Sequence, residues 1–407
     1  MVEEKKDTLK LTGVYELKND TILVNQASLY ENLTKLIFYN FESQHIEMLN
    51  QLMFYYNYNL KKLYNIKKVT LCEISNDFLD YNQSQTMYKK IKEFNIKFFR
   101  FFAHNNLESL TLNAKYNDAY MYNPSVQEIL NNSPQLKKFR MNADKCDKIS
   151  LNFEKQTNLK SAKFYNFKNC IDTINTIKSL QTCTDLQTLV FSPYITICDS
   201  TQTQLKNFIL NNFFPNIKRL EMLYMNICTN EELTELTRNY PNLEYLYVEF
   251  VGEIDYSILG KNCPNIKVLK FNNWQINDDD INMLTKYLPK LRMLSFNSAH
   301  NITNDGFIFI ANNCHDLRVL EVIDYYKIDD IAIAAIVSNC CELRVLVLNS
   351  VYIDTVKRQY MIDHLSKLEY ANFGRYIYIW DQINFEQNNS HIKFNIPSKF
   401  KPNKFIY

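Results

Sequence analysis

From Leu243 onward one phrase keeps returning: an apolar residue, two residues, a Leu or Phe-like residue, one residue, another apolar residue. It reads Leu243/Leu246/Val248, Ile266/Leu269/Phe271, Leu291/Leu294/Phe296, Leu317/Leu320/Val322 and Leu343/Leu346/Leu348. Successive copies begin about 23 to 26 residues apart. That length allows one strand and one return segment, which cannot bury its own apolar side. Such a unit is stable only when stacked on neighbours.

Looser copies precede these: Leu33/Leu36/Phe38, Ile66/Val69/Leu71, Leu107/Leu110/Leu112, Leu136/Phe139/Met141, Leu159/Ala162/Phe164, Leu186/Leu189/Phe191 and Ile217/Leu220/Met222. Leu368/Ala371/Phe373 follows. About thirteen repeats result. The interval from Ile66 to Leu107 is long enough for an insertion or one more repeat, with Phe94 to Phe102 a candidate, and a helix is predicted from Ser43 to Asn57.

The return segment reads as a helix. Leu233, Leu236 and Tyr240, like Ile281, Leu284 and Leu288, recur at helical spacing. Thr229 with Glu232 has capping-box spacing, and Asn277, Thr303 and Asp329 hold the equivalent entry. Pro134, Pro215, Pro241, Pro264 and Pro289 each stand two residues before a strand's first apolar position, where they end the helix and favour extended backbone.

The period and pattern resemble leucine-rich repeats. Cys263-Pro-Asn-Ile-Lys-Val-Leu, Cys314-His-Asp-Leu-Arg-Val-Leu, Cys340-Cys-Glu-Leu-Arg-Val-Leu and the entry Asn301-Ile-Thr-Asn-Asp-Gly-Phe look like the cysteine-containing subclass. The resemblance implies an α/β horseshoe solenoid, with parallel strands on the concave face and helices on the convex face. It also implies a substrate-recognition role of the kind found in F-box ubiquitin-ligase receptors. Two features depart from that pattern. The slot where the subclass carries Cys or Asn holds Met225, Val251, Trp274, Ala299, Tyr325 and Val351, so apolar packing is expected to replace a hydrogen-bonding ladder. Residues 1 to 65 show no Leu-Pro entry with a Trp-bearing helical ending, since the two Trp are Trp274 and Trp380.

The expected division is an N-terminal cap at 1–28, the solenoid at 29–390, clearest over 217–373, and a C-terminal cap or tail at 391–407. A formal net charge of +2 gives no general reason for a nucleic-acid partner, and 46% hydrophobic with 22% charged residues suits a folded chain. No leader or membrane span is read, so a cytoplasmic or nuclear monomer is expected.

Chemistry-bearing patterns are sparse. Ten Cys form no C-x-x-C pair, and Cys263, Cys314 and Cys340 share a slot filled elsewhere by Phe214, Tyr240 and Leu288. A slot that accepts those residues asks for apolar volume rather than a thiolate. His315 beside Cys314 would suggest a dyad only if adjacent side chains converged. Asp278-Asp279-Asp280 reads as a helix entry, where carboxylates meet free N–H groups. With 5 Gly there is no phosphate-cradling loop. No catalytic residue, metal or cofactor is expected.

The strands are more informative. Side chains alternate across a strand, so residues between the Leu-type positions face away from the helices. The position before the central Leu holds Tyr245, Val268, Met293, Val319, Val345 and Tyr370, a stripe roughly 25 Å long at strand spacing. The next column begins at Tyr247 and continues Lys270, Ser295, Glu321, Val347 and Asn372. An exposed apolar stripe would mark a protein-binding surface, and Tyr245, Tyr247, Val268, Met293, Val319, Val345 and Tyr370 are its expected contacts. In the first half these columns hold Lys35, Lys68, Lys138, Arg140 and Lys163, for which a solvated face is the simpler reading. Function is thus expected to be a non-catalytic protein-interaction scaffold, with a link to ubiquitin-dependent degradation. The alternative is a regulator of a small GTPase, of the kind seen among solenoids with slightly longer repeats.

Overall fold

A computed structural model describes residues 2–5, 8–12, 35–39, 68–74, 107–114, 126–142, 150–167, 170–193, 199–297, 300–323, 328–349, 353–373 and 389–394. The chain forms two compact units, Met1–Phe208 and Ile209–Tyr407.

In the first unit, β1 (Val2–Lys5) and β2 (Thr8–Thr12) form an antiparallel pair. β2 then begins a parallel ladder through β3 (Lys35–Tyr39), β4 (Lys68–Ile74), β5 (Ser109–Ala114), β6 (Lys138–Asn142), β7 (Ser161–Phe167) and β8 (Thr188–Pro193). α1 (Cys170–Leu180) joins β7 to β8, and α2 (Asp199–Leu210) follows β8. Every early copy of the repeat coincides with a strand. Because β4 pairs directly with β5, the long interval between them adds no strand to the ladder. Phe94–Phe102 and the helix predicted from Ser43 lie outside the described residues.

In the second unit the ladder runs through β9 (Arg219–Ile227), β10 (Tyr245–Phe250), β11 (Val268–Asn272), β12 (Met293–Asn297), β13 (Val319–Ile323), β14 (Val345–Asn349), β15 (Tyr370–Asn372) and β16 (Lys393–Phe394). β16 continues it past Leu368, the last repeat read from sequence. The returns are α3 (Asn230–Asn239), α4 (Ser257–Asn262), α5 (Asp278–Tyr287), α6 (Asn304–Asn313), α7 (Asp330–Asn339) and α8 (Thr355–His364). One strand and one helix per repeat, repeated in register, make this an α/β solenoid of the leucine-rich-repeat type.

Helix starts follow the sequence signals. Thr229, Asn277, Thr303 and Asp329 are N-caps whose side chains accept backbone N–H bonds, and Asn277 with Asp280 closes a reciprocal box. Asp278 belongs to the next repeat as much as to its own, accepting from Thr303 N at 2.9 Å and Thr303 Oγ1 at 2.6 Å. That carboxylate also explains Gly306. A Cβ there would lie 2.5 Å from Asp278 Oδ1 and 2.7 Å from Ile302 Cγ2.

Burial follows the strand alternation on the helix side. Leu246, Leu269, Leu294, Leu320 and Leu346 are fully buried, and the last apolar position of each strand stacks on the next. Phe271 lies between Phe250 at 5.8 Å and Phe296 at 5.5 Å. In the first unit the buried rings of Phe139, Phe153, Phe164 and Phe191 pack together, with the Phe164 and Phe191 rings stacked 5.7 Å apart.

The turn after the strand corrects one expectation. Met225 is buried, as apolar packing requires, but Trp274 is 59% exposed. Polar bonding at that turn is supplied one residue earlier. Buried Asn273 donates to Tyr256 Oη at 2.7 Å, and its Oδ1 accepts from Gln275 N at 2.9 Å. Ala299, Tyr325 and Val351 lie outside the described residues.

Candidate functional site

The column read from sequence is in register. Tyr245, Val268, Met293, Val319, Val345 and Tyr370 face one another across β10 to β15 with no slip. Its exposure is not what the alternation suggested. Tyr245, Val268, Met293, Val319 and Val345 are 0–4% exposed and form one apolar cluster with Val347. Tyr247 and Tyr370 are only partly buried and pack against it. Five of the seven residues expected as contacts are thus buried, and Tyr247 and Tyr370 are partly exposed.

Val and Met are short or slim, and parallel neighbours at about 4.8 Å cover their flanks. Tyr247 and Tyr370 pack against the row. At the β9 end the Arg219 guanidinium sits 3.8 Å from the centre of the Tyr245 ring. A parallel sheet covered on both faces reads as near-continuous apolar sequence, and Val345-Leu-Val-Leu does so.

The neighbouring column is polar and linked. Arg219 Nε donates to Glu221 Oε1 at 2.7 Å, and Ser295 Oγ donates to Glu321 Oε2 at 2.7 Å. Lys270 approaches the same Glu321 carboxylate at 3.7 Å. Burial raises both the Tyr247 phenol and, beyond it, the Glu249 carboxyl above their ordinary values. β9 bulges opposite this point: Val248 pairs Met222 but Glu249 pairs Asn226, and Tyr224 takes a left-handed backbone at φ 60°. A bulge of this kind re-aims the side chains around it.

On β6 the pattern opens. Lys138 and Arg140 are exposed while Phe139 and Met141 between them are buried. Arg140 stands directly opposite Lys163, and its guanidinium lies 4.8 Å over the Tyr165 ring.

The cysteine slot is a packing slot. Cys263, Cys314 and Cys340 are fully buried C-caps whose N–H groups bond the carbonyls of Leu259, Ile310 and Ile336. Burial pushes the Cys263 and Cys340 thiols up to about 12 and raises Cys314 as well. Cys183 occupies the same slot, three residues before Leu186, and is pushed to about 11 by burial. His315 is exposed while Cys314 is buried, so the two do not converge. Among the described residues no group of His, Cys, Asp and Glu is arranged to hold a metal ion. Cys314→Val is expected to fold and to cost less than about 1.5 kcal/mol as a volume-tolerant swap. A denaturant melt with and without chelator checks this, and a chelator-sensitive wild type would contradict it.

No family model and no curated protein matches this sequence. Similar solved structures include a Leptospira interrogans leucine-rich-repeat protein at 12% identity and TM-score 0.35, covering 94% of this chain and 93% of that one. The yeast Rad7–Elc1 complex is matched at 12% identity and TM-score 0.39, covering 88% of this chain and 93% of that one. A TLR13 complex with the single-stranded RNA ssRNA13 is matched at 15% identity and TM-score 0.35, covering 90% and 43%. At scores this low, the repeat fold rests on this chain's own register and helix placement. Among the described residues no helix is long and apolar enough to cross a membrane.

Proposed function

We propose that this chain is a non-catalytic protein-interaction scaffold. The observation that carries the reading is the strand face itself. Equivalent side chains of successive strands are held in register, one per repeat, on a rigid ladder. Such a face offers a row of side chains at fixed spacing, which suits an extended partner rather than a small substrate. In the second unit the accessible contacts are Tyr247 and Tyr370, with Lys270 and Glu321 beside them. Val268, Met293, Val319 and Val345 supply the platform beneath.

The finer reading is a substrate-recognition component linked to ubiquitin-dependent degradation. Its support is the recurrence of Cys263, Cys314 and Cys340 in one helix-end slot and the Thr303-to-Gly306 entry, both features of the cysteine-containing repeats that the sequence resembles.

The test is affinity capture of the full chain with mass spectrometry, repeated with Tyr247→Ala and Tyr370→Ala variants shown by thermal melt to be folded. Partners that depend on these two rings support the reading. Unchanged capture by both variants removes the contact assignment, and absence of any ligase component among the captured proteins removes the degradation link.

A further inference from the structure

Helices α5 to α8 of the second unit pack side by side, and their sequences align position by position. The fourth, seventh and eighth residues of each are buried, as with Ile281, Leu284 and Thr285 on α5 and Ile333, Ile336 and Val337 on α7. The second and sixth residues therefore point outward, one turn apart on the same face.

An outward helix face ordinarily carries polar residues. The second position does so on α5 and α6, with Asp279 and Asp305, and then changes to Ile331 on α7 and Val356 on α8. Ile331 is 68% exposed and Val356 77%. The sixth position is apolar throughout: Met283, Phe309, Ala335 and Tyr360, all at least partly exposed.

The fold does not ask for this pattern. β-Branched residues lose side-chain freedom in a helix, so Ile331 and Val356 gain nothing for α7 or α8 and leave apolar surface in water. α7 goes furthest: from Ile331 to Val337 it carries no polar side chain. At the helix starts the charge bordering this patch is mainly acidic. Asp279, Asp305 and Asp330 lie in the first turns of α5, α6 and α7, and Asp354 caps α8. Lys357 stands 3.3 Å from Asp330 and 3.7 Å from Asp354, so two carboxylates share one ammonium next to Val356. Carboxylates suit helix starts in any case; the apolar pair set among them is what needs a partner.

We infer that the outer face of α7 and α8, anchored by Ile331, Val356 and Tyr360, docks an amphipathic helix of a protein partner whose apolar stripe is bordered by Lys or Arg. This surface lies on the helices and is separate from the strand-face contacts proposed above. Apolar side chains three to four residues apart on such a helix match a patch of this kind. Cations along its border complement Asp305, Asp330 and Asp354. Ala334 and Ala335 are small, which lets a second helix come close to α7. A second copy of this chain fits less well. A two-fold pairing sets the same patch against itself and brings Asp330 and Asp354 toward the like-charged rim of the other copy.

The experiment uses the full chain and fluorescence anisotropy with three labelled peptides. The first is a helical leucine–lysine peptide whose leucines form a single stripe. The second carries glutamate in place of lysine, and the third keeps the leucine–lysine composition with the stripe scrambled. The striped lysine peptide is expected to bind most tightly, with an affinity that falls as salt rises. Ile331→Ser combined with Val356→Ser should cut that affinity about tenfold. Both positions are open, so the melting temperature should change little; Val356→Lys serves if the serine pair does not fold. Asp305→Asn combined with Asp330→Asn should narrow the gap between the lysine and glutamate peptides. Glu154→Asn, at an exposed acid of the first unit, should leave both affinities unchanged. Equal binding of the scrambled or glutamate peptide, or wild-type affinity in the serine pair, would overturn the inference. A dimer seen by light scattering that the serine pair dissociates would also overturn it, giving the patch to a second copy.

Discussion

Val319→Asp is expected to unfold the second unit rather than to disarm a binding surface. Val319 lies in the middle of the buried column, between Met293 on β12 and Val345 on β14, with 1% of its surface exposed. A carboxylate there has apolar register neighbours on both sides, Met293 and Val345. An uncompensated buried charge costs on the order of 3–5 kcal/mol. That is a large share of the roughly 5–15 kcal/mol that holds a typical domain folded. A denaturant melt should show the midpoint collapsing. A folded, stable Val319→Asp chain that had merely lost partner capture would return the column to the surface.

Leu320→Ala is the second large effect, acting on the opposite side of the same strand. Leu320 is fully buried and pairs in register with Leu294 and Leu346. Removing the side chain leaves a cavity between strand and helices, at about 2–5 kcal/mol. Each repeat is supported by its neighbours, so the loss should spread to β12 and β14. Hydrogen exchange read strand by strand should show protection falling there as well as in β13. Loss confined to β13, or a cost below about 1 kcal/mol, would mean that the site collapses around the gap.

Much of this fold is legible in the residues. The Leu-type positions, the prolines two residues before them and the caps at Asn277, Thr303 and Asp329 are local signals, and strands β3 to β15 coincide with them. Side-chain alternation also places Val268, Met293 and Val319 in one column. What alternation does not encode is whether a column is covered. That depends on what packs against it from other repeats, such as Tyr247 against the cluster and Arg219 over Tyr245. The same limit applied to Asn273, whose bonding partner Tyr256 belongs to the preceding helix region.

The most direct measurement is methionine oxidation followed by mass spectrometry in the folded chain. Met283 on α5 is 39% exposed, whereas Met293 in the column is 0% exposed, and the two lie in adjacent repeats. A thioether reacts with peroxide according to its access to solvent. Met283 should convert to sulfoxide early while Met293 stays reduced until denaturant opens the unit. Oxidation of Met293 at the rate of Met283 in the folded protein would contradict the burial of the column and restore it as an open docking surface.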